Sequence, residues 1–374
     1  MRKPVRMRWY TLFLLFISSF LWACDKEEPP ADTANSDFTL AMDTLVTGLG
    51  IPWGLAQLPN NDLLITIKQG RLYRYSNGNT QEIQGLPDIY VKGQGGLLDV
   101  QLDPDYEDNG WLYLAYAAPG AGGGNTAILR AKLSGNTLID QEKIFQGQPY
   151  LSTPYHYGSR IAFDGDGHLY FSIGDRGTME NAQDLTNHCG KIHRINKDGS
   201  IPSDNPFVDS AGAMASIFSY GHRNPQGVTT HPATGAIWTH EHGPKGGDEI
   251  NIVAAGLNYG WPEITHGIDY DGSIITTDTA KPGMEQPLHY WVPSIAPCGM
   301  DFVTSANYPG WAGDLLIGSL KFGYLHRCDI EDGKVVGEEK LLEGVGRVRD
   351  VLQGRDGYLY ISVDNGWVIK LLPE

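Results

Sequence analysis

Five stretches of this 374-residue chain repeat one pattern, and nothing else constrains its fold as much. They are Gly-Arg-Leu-Tyr-Arg-Tyr from Gly70, Gly-Trp-Leu-Tyr-Leu-Ala-Tyr from Gly110, Gly-His-Leu-Tyr-Phe-Ser from Gly167, Gly-Ala-Ile-Trp from Gly235 and Gly-Tyr-Leu-Tyr-Ile-Ser from Gly357. Each is a turn glycine followed by alternating apolar and aromatic residues, the period-two signature of a half-exposed β-strand. Asn-Gly or Asp-Gly pairs at 77–78, 164–165, 166–167, 198–199 and 356–357 add the strongest short hairpin signal. Long helical periodicity is absent, and only Glu180–Leu185 fits a helical turn. Many short strands with frequent turns mean a sandwich, a barrel or a propeller. Roughly 335 residues exceed a single sandwich. At roughly 40–60 residues per four-stranded blade, the expectation is an all-β, six-bladed β-propeller. The terminal strand from Trp367 to Leu372 is expected to pair with a strand from the start of the domain, closing the ring and removing its open edges.

The first 23 residues read as a leader. Arg2, Lys3, Arg6 and Arg8 precede an apolar run from Trp9 to Ala23, too short for a membrane-spanning helix. The run ends Leu21-Trp22-Ala23-Cys24, which resembles the bacterial lipobox and implies a lipidated Cys24; an uncleaved signal anchor is the alternative. Residues 24–40 then read as a flexible polar tether and 41–374 as the propeller. The protein is expected at the periplasmic face of a membrane or at the cell surface. Removing the leader takes away four basic and no acidic side chains, moving the net charge from −16 to −20. Such a surface argues against nucleic acid or anionic lipid as partners, leaving the membrane only through the lipid on Cys24. Cys189, Cys298 and Cys328 allow at most one disulfide and show no paired metal-ligand spacing.

Polar constellations interrupt the strand pattern. Gly-His-Arg-Asn-Pro-Gln-Gly (221–227) offers Arg223, a planar donor suited to carboxylates, and Asn224, both donor and acceptor. Glu-His-Gly-Pro-Lys-Gly-Gly-Asp-Glu (241–249) offers the Gly243 and Pro244 carbonyls with Asp248 and Glu249 behind them, the oxygen supply of a hard cation such as Ca²⁺. Taken singly, each also fits a turn-rich hairpin loop with solvated charges. Gln94 stands in a glycine frame (93–96) ahead of a strand, and His156 stands on a loop tip before Ile161–Phe163, well placed for a general base. Lys321 leaves a strand over Leu315–Gly318. Arg347 and Arg349, two apart, point to one face and call for an anion or an Asp350-like partner. No nucleophile elbow, zincin motif, P-loop or dinucleotide fingerprint occurs.

Taken together, these segments resemble the soluble quinoprotein aldose sugar dehydrogenases of the glucose/sorbosone dehydrogenase family. Eight motifs run in order over 42–373: 93–98, 156–160, 190–195, 198–206, 221–227, 241–261, 319–321 and 347–350. The resemblance implies pyrroloquinoline quinone (PQQ) at one end of the propeller channel, bridged to the protein by Ca²⁺. It implies His156 as the base that takes the anomeric hydroxyl proton, with hydride passing to the quinone and Arg223 stabilising the reduced product. Gln94, Asn224 and Lys321 would hold the cofactor's polar edge, and Arg347 and Arg349 its carboxylates. The Gly243 and Pro244 carbonyls match the cofactor-side Ca²⁺ ligands; Glu249 and the Tyr259 carbonyl match a second, structural Ca²⁺ site. Tyr155 stands where glucose-type members carry an aspartate that tunes the histidine, and Ser294 where they carry a threonine near the cofactor.

The expected partners are an aldose and an external electron acceptor, a quinone or a cytochrome, with the chain acting as a monomer. Lacking the long insertions of glucose-type enzymes, the site should be open and tolerant of several aldoses. The alternatives are a Ca²⁺-dependent lactonase-type propeller hydrolase and a non-catalytic propeller that binds sugar or protein. Lys321 and the Arg347/Arg349 pair discriminate, because a neutral lactone gives such cations nothing to bind. His156, from a different blade, is also expected to face the 221–262 segment across the channel.

Overall fold

Alternation along the repeated strands turns out to be buried on both sides. In the computed structural model, which describes Met1 and residues 38–374, the strands Leu169–Ile173, Ile237–Glu241 and Leu359–Val363 are buried throughout. The leader, Cys24 and the tether to residue 37 lie outside the described residues. The chain forms six four-stranded antiparallel sheets, the six blades expected.

The first strand, β1 (Leu40–Val46), joins the last blade. Blade 1 is β2 (Pro52–Gln57), β3 (Leu63–Ile67), β4 (Arg71–Ser76) and β5 (Asn79–Ile83). Blade 2 is β6 (Leu97–Leu102), β7 (Trp111–Gly120), β8 (Gly123–Ser134) and β9 (Thr137–Gln146). Blade 3 is β10 (Ile161–Phe163), β11 (Leu169–Ile173), β12 (Lys191–Ile195) and β13 (Ile217–Tyr220). Blade 4 is β14 (Pro225–Thr230), β15 (Ile237–Glu241), β16 (Asp248–Val253) and β17 (His289–Trp291). Blade 5 is β18 (Pro297–Phe302), β19 (Leu315–Ser319), β20 (Tyr324–Glu331) and β21 (Lys334–Leu341). Blade 6 is β22 (Val348–Gln353), β23 (Leu359–Val363) and β24 (Trp367–Pro373), completed by β1 antiparallel to β24, the closure expected. The helical content among the described residues is one turn at Tyr106–Asn109 and a 3₁₀ turn at Met179–Ala182, beside the expected stretch.

Each blade is covered on both faces, which explains the burial. On β7, Leu112, Leu114 and Tyr116 pack toward blade 1, while Tyr113 and Ala115 pack toward blade 3. On β23, Leu359, Ile361 and Val363 face blade 5 and Tyr360 faces blade 1. Successive strand residues point to opposite faces, and on these second strands both faces are covered by neighbouring blades. A half-exposed strand was therefore the wrong expectation for β7, β11, β15 and β23, whereas the stretch from Gly70, on β4, is half-exposed as expected. The apolar clusters fall between successive blades around the ring, so cohesion is an interblade property.

The channel between the six inner strands is divided by Arg160. Its guanidinium pairs with Asp99 at 3.3 Å and Asp350 at 2.8 Å and lies 3.9 Å over the Trp53 ring. Asp350 also accepts the Leu55 amide, so this buried cluster ties blades 1, 2, 3 and 6 together. It separates two cavities, one of ≈ 200 Å³ and one of ≈ 330 Å³.

Candidate active site

Loops ahead of the inner strands enclose the ≈ 330 Å³ cavity, which Lys68, Gln94, Asn224, Gln226, Arg347 and Arg349 line along with Trp53 and Tyr157. The glycine frame that carries Gln94 is a matter of space. A Cβ on Gly96 would come within 1.9 Å of the Lys68 carbonyl, so only glycine lets this loop lie against blade 1. Lys68 in turn donates to the Gly93 carbonyl at 2.5 Å.

Arg347 and Arg349 do point the same way, and Asp364 answers both. Arg347 Nε donates to Asp364 at 2.8 Å, and Arg349 makes bonds of 2.5 and 3.0 Å to the two carboxylate oxygens. Asp350 faces the opposite side, to Arg160, as period-two alternation requires. Burial works to raise the Asp364 pKa, but the bonds from Arg349 and then Arg347 hold it below the usual carboxylate range. Burial, and then Arg349, depresses the Lys68 ammonium. Three cations thus share one carboxylate at this end of the cavity, leaving positive charge that an anion can answer.

His156 directly precedes Tyr157 and Gly158, which line the cavity, but is not itself on its wall. Its backbone takes a left-handed φ of 55° and its amide donates to Gln94 Oε1 at 2.7 Å. Such a conformation in a non-glycine residue is held by its surroundings and is typical of functional positions. Nδ1 meets Asp175 Oδ1 at 2.6 Å. Asp175 also accepts the Gly177 amide at 2.7 Å and the Trp261 indole at 2.9 Å. The aspartate's approach depends on Gly174, where a Cβ would lie 2.5 Å from the His156 carbonyl. An ionised Asp175 fixes the proton on Nδ1 and leaves Nε2 as a lone-pair base, with no hydrogen-bond partner among the described residues. Burial lowers the His156 pKa from 6.5, partly opposed by Asp175. Burial raises the Asp175 pKa, but His156, Arg223 and the Gly177 amide outweigh it.

The carboxylate on the base was not singled out from sequence. Asp175 follows β11 in Ile-Gly-Asp-Arg-Gly, which reads as a turn, and its contact with His156 spans 19 residues. With Tyr155 exposed beside His156, Asp175 supplies the charge that the tyrosine cannot.

The first polar loop is a neighbour of His156 rather than opposite it. The Gly158 amide donates to Asn224 Oδ1 at 3.3 Å, and Asp175 N donates to the Arg223 carbonyl at 2.8 Å. Blades 3 and 4 are adjacent, so no side chain has to reach across the channel. The Arg223 guanidinium bonds the His242 and Gly243 carbonyls at 3.1 and 2.9 Å and approaches the Tyr270 hydroxyl at 3.5 Å. It borders a third, small cavity rather than the large one.

That small cavity, ≈ 10 Å³ and large enough for one water or ion, is also lined by Glu241, Gly243, Glu249 and Tyr259. Glu241 and Glu249 are directly opposite on β15 and β16. Glu241 is satisfied by His222 at 2.8 Å and the Arg223 amide at 2.6 Å, whereas Glu249 has only a 3.4 Å contact from Asn251. Burial, and then the Glu241 charge, pushes Glu249 from 4.5 up to about 8. The Tyr259 and Pro244 carbonyls accept no hydrogen bond from the described residues. Asp248 does not face the cavity; it accepts the Gly243 and Ala296 amides and braces the loop. Ser294 accepts the Gly246 amide at 2.9 Å, which makes it a support of the same loop.

Lys321 stands apart. It is exposed, its Nζ lies 5.1 Å over the Phe322 ring, and its neighbour Leu320 lines the cavity in its place. Lys68 is the lysine that faces the cavity, and sequence reading passed over it because β3 ends there with no motif around it. Cys189, Cys298 and Cys328 are free and buried, so no disulfide forms among them.

The chain matches known proteins over nearly its whole length. It is 40% identical over 380 residues to the aldose sugar dehydrogenase YliI of Escherichia coli (strain K12), covering 99% of each chain. A crystal structure of a glucose dehydrogenase superposes with TM-score 0.86 at 42% identity, covering 88% of this chain and 99% of that one. The PQQ-bound form of an aldose sugar dehydrogenase from Streptomyces coelicolor superposes with TM-score 0.75 at 27% identity, covering 92% of this chain and 100% of that one. Residues 49–370 match the family described as glucose/sorbosone dehydrogenase, and the chain belongs to that family.

Proposed function

We propose that this protein is a PQQ- and Ca²⁺-dependent dehydrogenase that oxidises aldoses at the anomeric carbon to lactones. The observation that carries the reading is the His156–Asp175 pair, next in sequence to the lining residues Tyr157 and Gly158 of a cavity that also gathers Lys68, Arg347 and Arg349. Cations sharing a single Asp364 suit a flat polycarboxylate, and ≈ 330 Å³ is within the range of small-molecule sites. When bound, the quinone would supply a hydride acceptor and Ca²⁺ a Lewis acid.

The chain's own residues do the rest. His156 Nε2 takes the hydroxyl proton, and Asp175 steadies the imidazolium that results. Gln94 and Asn224 orient the cofactor's polar edge, and Arg349 and Arg347 hold its carboxylates with Lys68. Tyr155 and Tyr270, both exposed, flank His156 and Arg223 and offer apolar faces to a sugar ring. The Gly243 and Pro244 carbonyls are the proposed seat of the cofactor-side Ca²⁺; there Gly243 must share its carbonyl with Arg223 or release it. Arg223, freed or not, places a fixed positive charge next to the base. Glu249, Glu241 and the Tyr259 carbonyl are the proposed seat of the second Ca²⁺, which would relieve the repulsion between the two glutamates.

The relatives named as aldose sugar and glucose dehydrogenases support the substrate class. A lactonase reading leaves the cation-lined end of the cavity without an anion to bind. Export and anchoring through a lipidated Cys24, and transfer to an external quinone or cytochrome, belong to the same proposal and rest on the sequence. Purified protein given PQQ and Ca²⁺ should reduce an artificial dye with several aldoses. No dye reduction, together with no change in quinone absorbance on adding sugar, would overturn the proposal.

A further inference from the structure

The outer strands of blade 5 bring metal-binding side chains together far from the channel. His326 and Cys328 are two apart on β20 and so share one face. Cys328 is directly opposite Glu338 on β21. Two donors at i and i+2 with a third across the ladder can converge on one point. Here a ring nitrogen of His326, the Cys328 sulfur and a Glu338 carboxylate oxygen lie within 4.8 Å of one another. Blade 4 supplies a fourth group, with His289 Nε2 3.3 Å from Glu338 Oε1.

These groups are not fully accounted for by hydrogen bonds. Glu338 accepts from the Trp291 indole at 2.7 Å and meets His326 Nε2 at 2.6 Å. His326 Nδ1 is buried without a partner, and His289 Nε2, though close to Glu338, lacks hydrogen-bond geometry. The Cys328 thiol, 0% exposed, has no hydrogen bond among the described residues. Buried polar atoms left unpaired call for an explanation such as an ion.

We infer that His326, Cys328 and Glu338, with His289 at the margin, form a site for a zinc-type transition metal that joins blades 4 and 5. A thiolate, an imidazole and a carboxylate select Zn²⁺ and its neighbours over Ca²⁺ or Mg²⁺, which prefer oxygen alone. Binding converts the thiol to a thiolate with release of one proton; the proton between His326 Nε2 and Glu338 moves to Nδ1, so that Nε2 and the carboxylate exchange their hydrogen bond for two metal bonds. The ion would fix β17, whose continuation carries Ser294 and its bond to the loop of Gly243 and Pro244.

The test uses the full protein, stripped of transition metals and returned to Ca²⁺, then titrated with Co²⁺ as a spectroscopic probe. The expected result is one equivalent bound with a thiolate-to-Co²⁺ charge-transfer absorption that Zn²⁺ abolishes. Cys328→Ser should remove that absorption and weaken Zn²⁺ binding more than about 100-fold. No charge-transfer absorption in the wild-type protein, or Zn²⁺ affinity unchanged from wild type in both Cys328→Ser and Glu338→Gln, would overturn the inference and leave a hydrogen-bonded interblade contact only. The wild-type titration decides the matter even if a variant fails to fold, and none of these readouts depends on PQQ or sugar turnover.

Discussion

Asp175→Asn isolates the step on which the proposed chemistry depends. The carboxylate receives three donors: His156 Nδ1, the Gly177 amide and the Trp261 indole. An asparagine offers one acceptor oxygen, so its NH₂ must oppose a donor. If the NH₂ faces Trp261, a buried indole N–H goes unpaired at about 1–3 kcal/mol. If it faces His156, Nδ1 must become the acceptor, the proton moves to Nε2 and the base is lost. Either way the charge that steadies the imidazolium is gone. General-base catalysis is worth about 10²–10⁴-fold, so kcat/KM for an aldose should fall about 10²- to 10³-fold, or about 3–4 kcal/mol. PQQ affinity, read by fluorescence titration, should change less than about threefold, because Asp175 does not line the cavity. Burial lowers the His156 pKa and Asp175 raises it, so residual activity should have its acid limb at lower pH than wild type. A double variant with His156→Ala should be no slower than His156→Ala alone, since the two act as a unit. The reasoning is refuted if Asp175→Asn keeps kcat/KM within about threefold of wild type, or if the double variant loses the product of both effects.

Lys68→Met should weaken PQQ binding about 10- to 100-fold, the worth of a charge-assisted hydrogen bond, whereas Lys321→Met should leave it within about threefold. Equal losses in equilibrium titration would return Lys321 to the cavity. Glu249 has its pKa raised in the folded, cation-free protein from 4.5 to about 8. A raised carboxyl pKa contributes stability below pH 4.5 that is lost as pH climbs toward 8. Without Ca²⁺, melting temperature should therefore fall over that window, Ca²⁺ should restore more at pH 8 than at pH 6, and Glu249→Gln should flatten both trends in calorimetry. Arg160→Met leaves Asp99 and Asp350 buried without their cation and should cost about 3–5 kcal/mol in denaturant unfolding. A loss below about 1 kcal/mol would show that the channel cluster is not a structural tie.

The blade count was legible because four of the five repeated stretches fall on the second strand of a blade: β7, β11, β15 and β23. The spacing looked uneven because the stretch from Gly70 is β4, a third strand, and because the second strands β3 and β19 lack the aromatic pattern. Burial was misjudged since alternation reports two faces but not what covers each. In the site, local motifs located Gln94, Asn224, Arg347 and Arg349 on the cavity wall. Asp175, Asp364 and Lys68 escaped notice because each sits in an ordinary turn or strand end. Their importance comes from contacts made by loops of different blades, which no window along the chain contains.

The closing pair β1–β24 also sets the end of the ring at which the described domain begins. β22 starts at the cavity end, where Arg347 and Arg349 lie, and β23 returns to it at Asp364. β24 then runs away from the cavity, and β1, antiparallel to it, pairs Leu40 with Pro373 at the opposite end. The described domain thus begins on the face remote from the site. Held to a membrane by Cys24, the propeller would present its catalytic mouth outward to the aqueous phase. Sugar would enter without obstruction from lipid, and a membrane quinone would need a soluble go-between or a tether long enough to let the domain turn over.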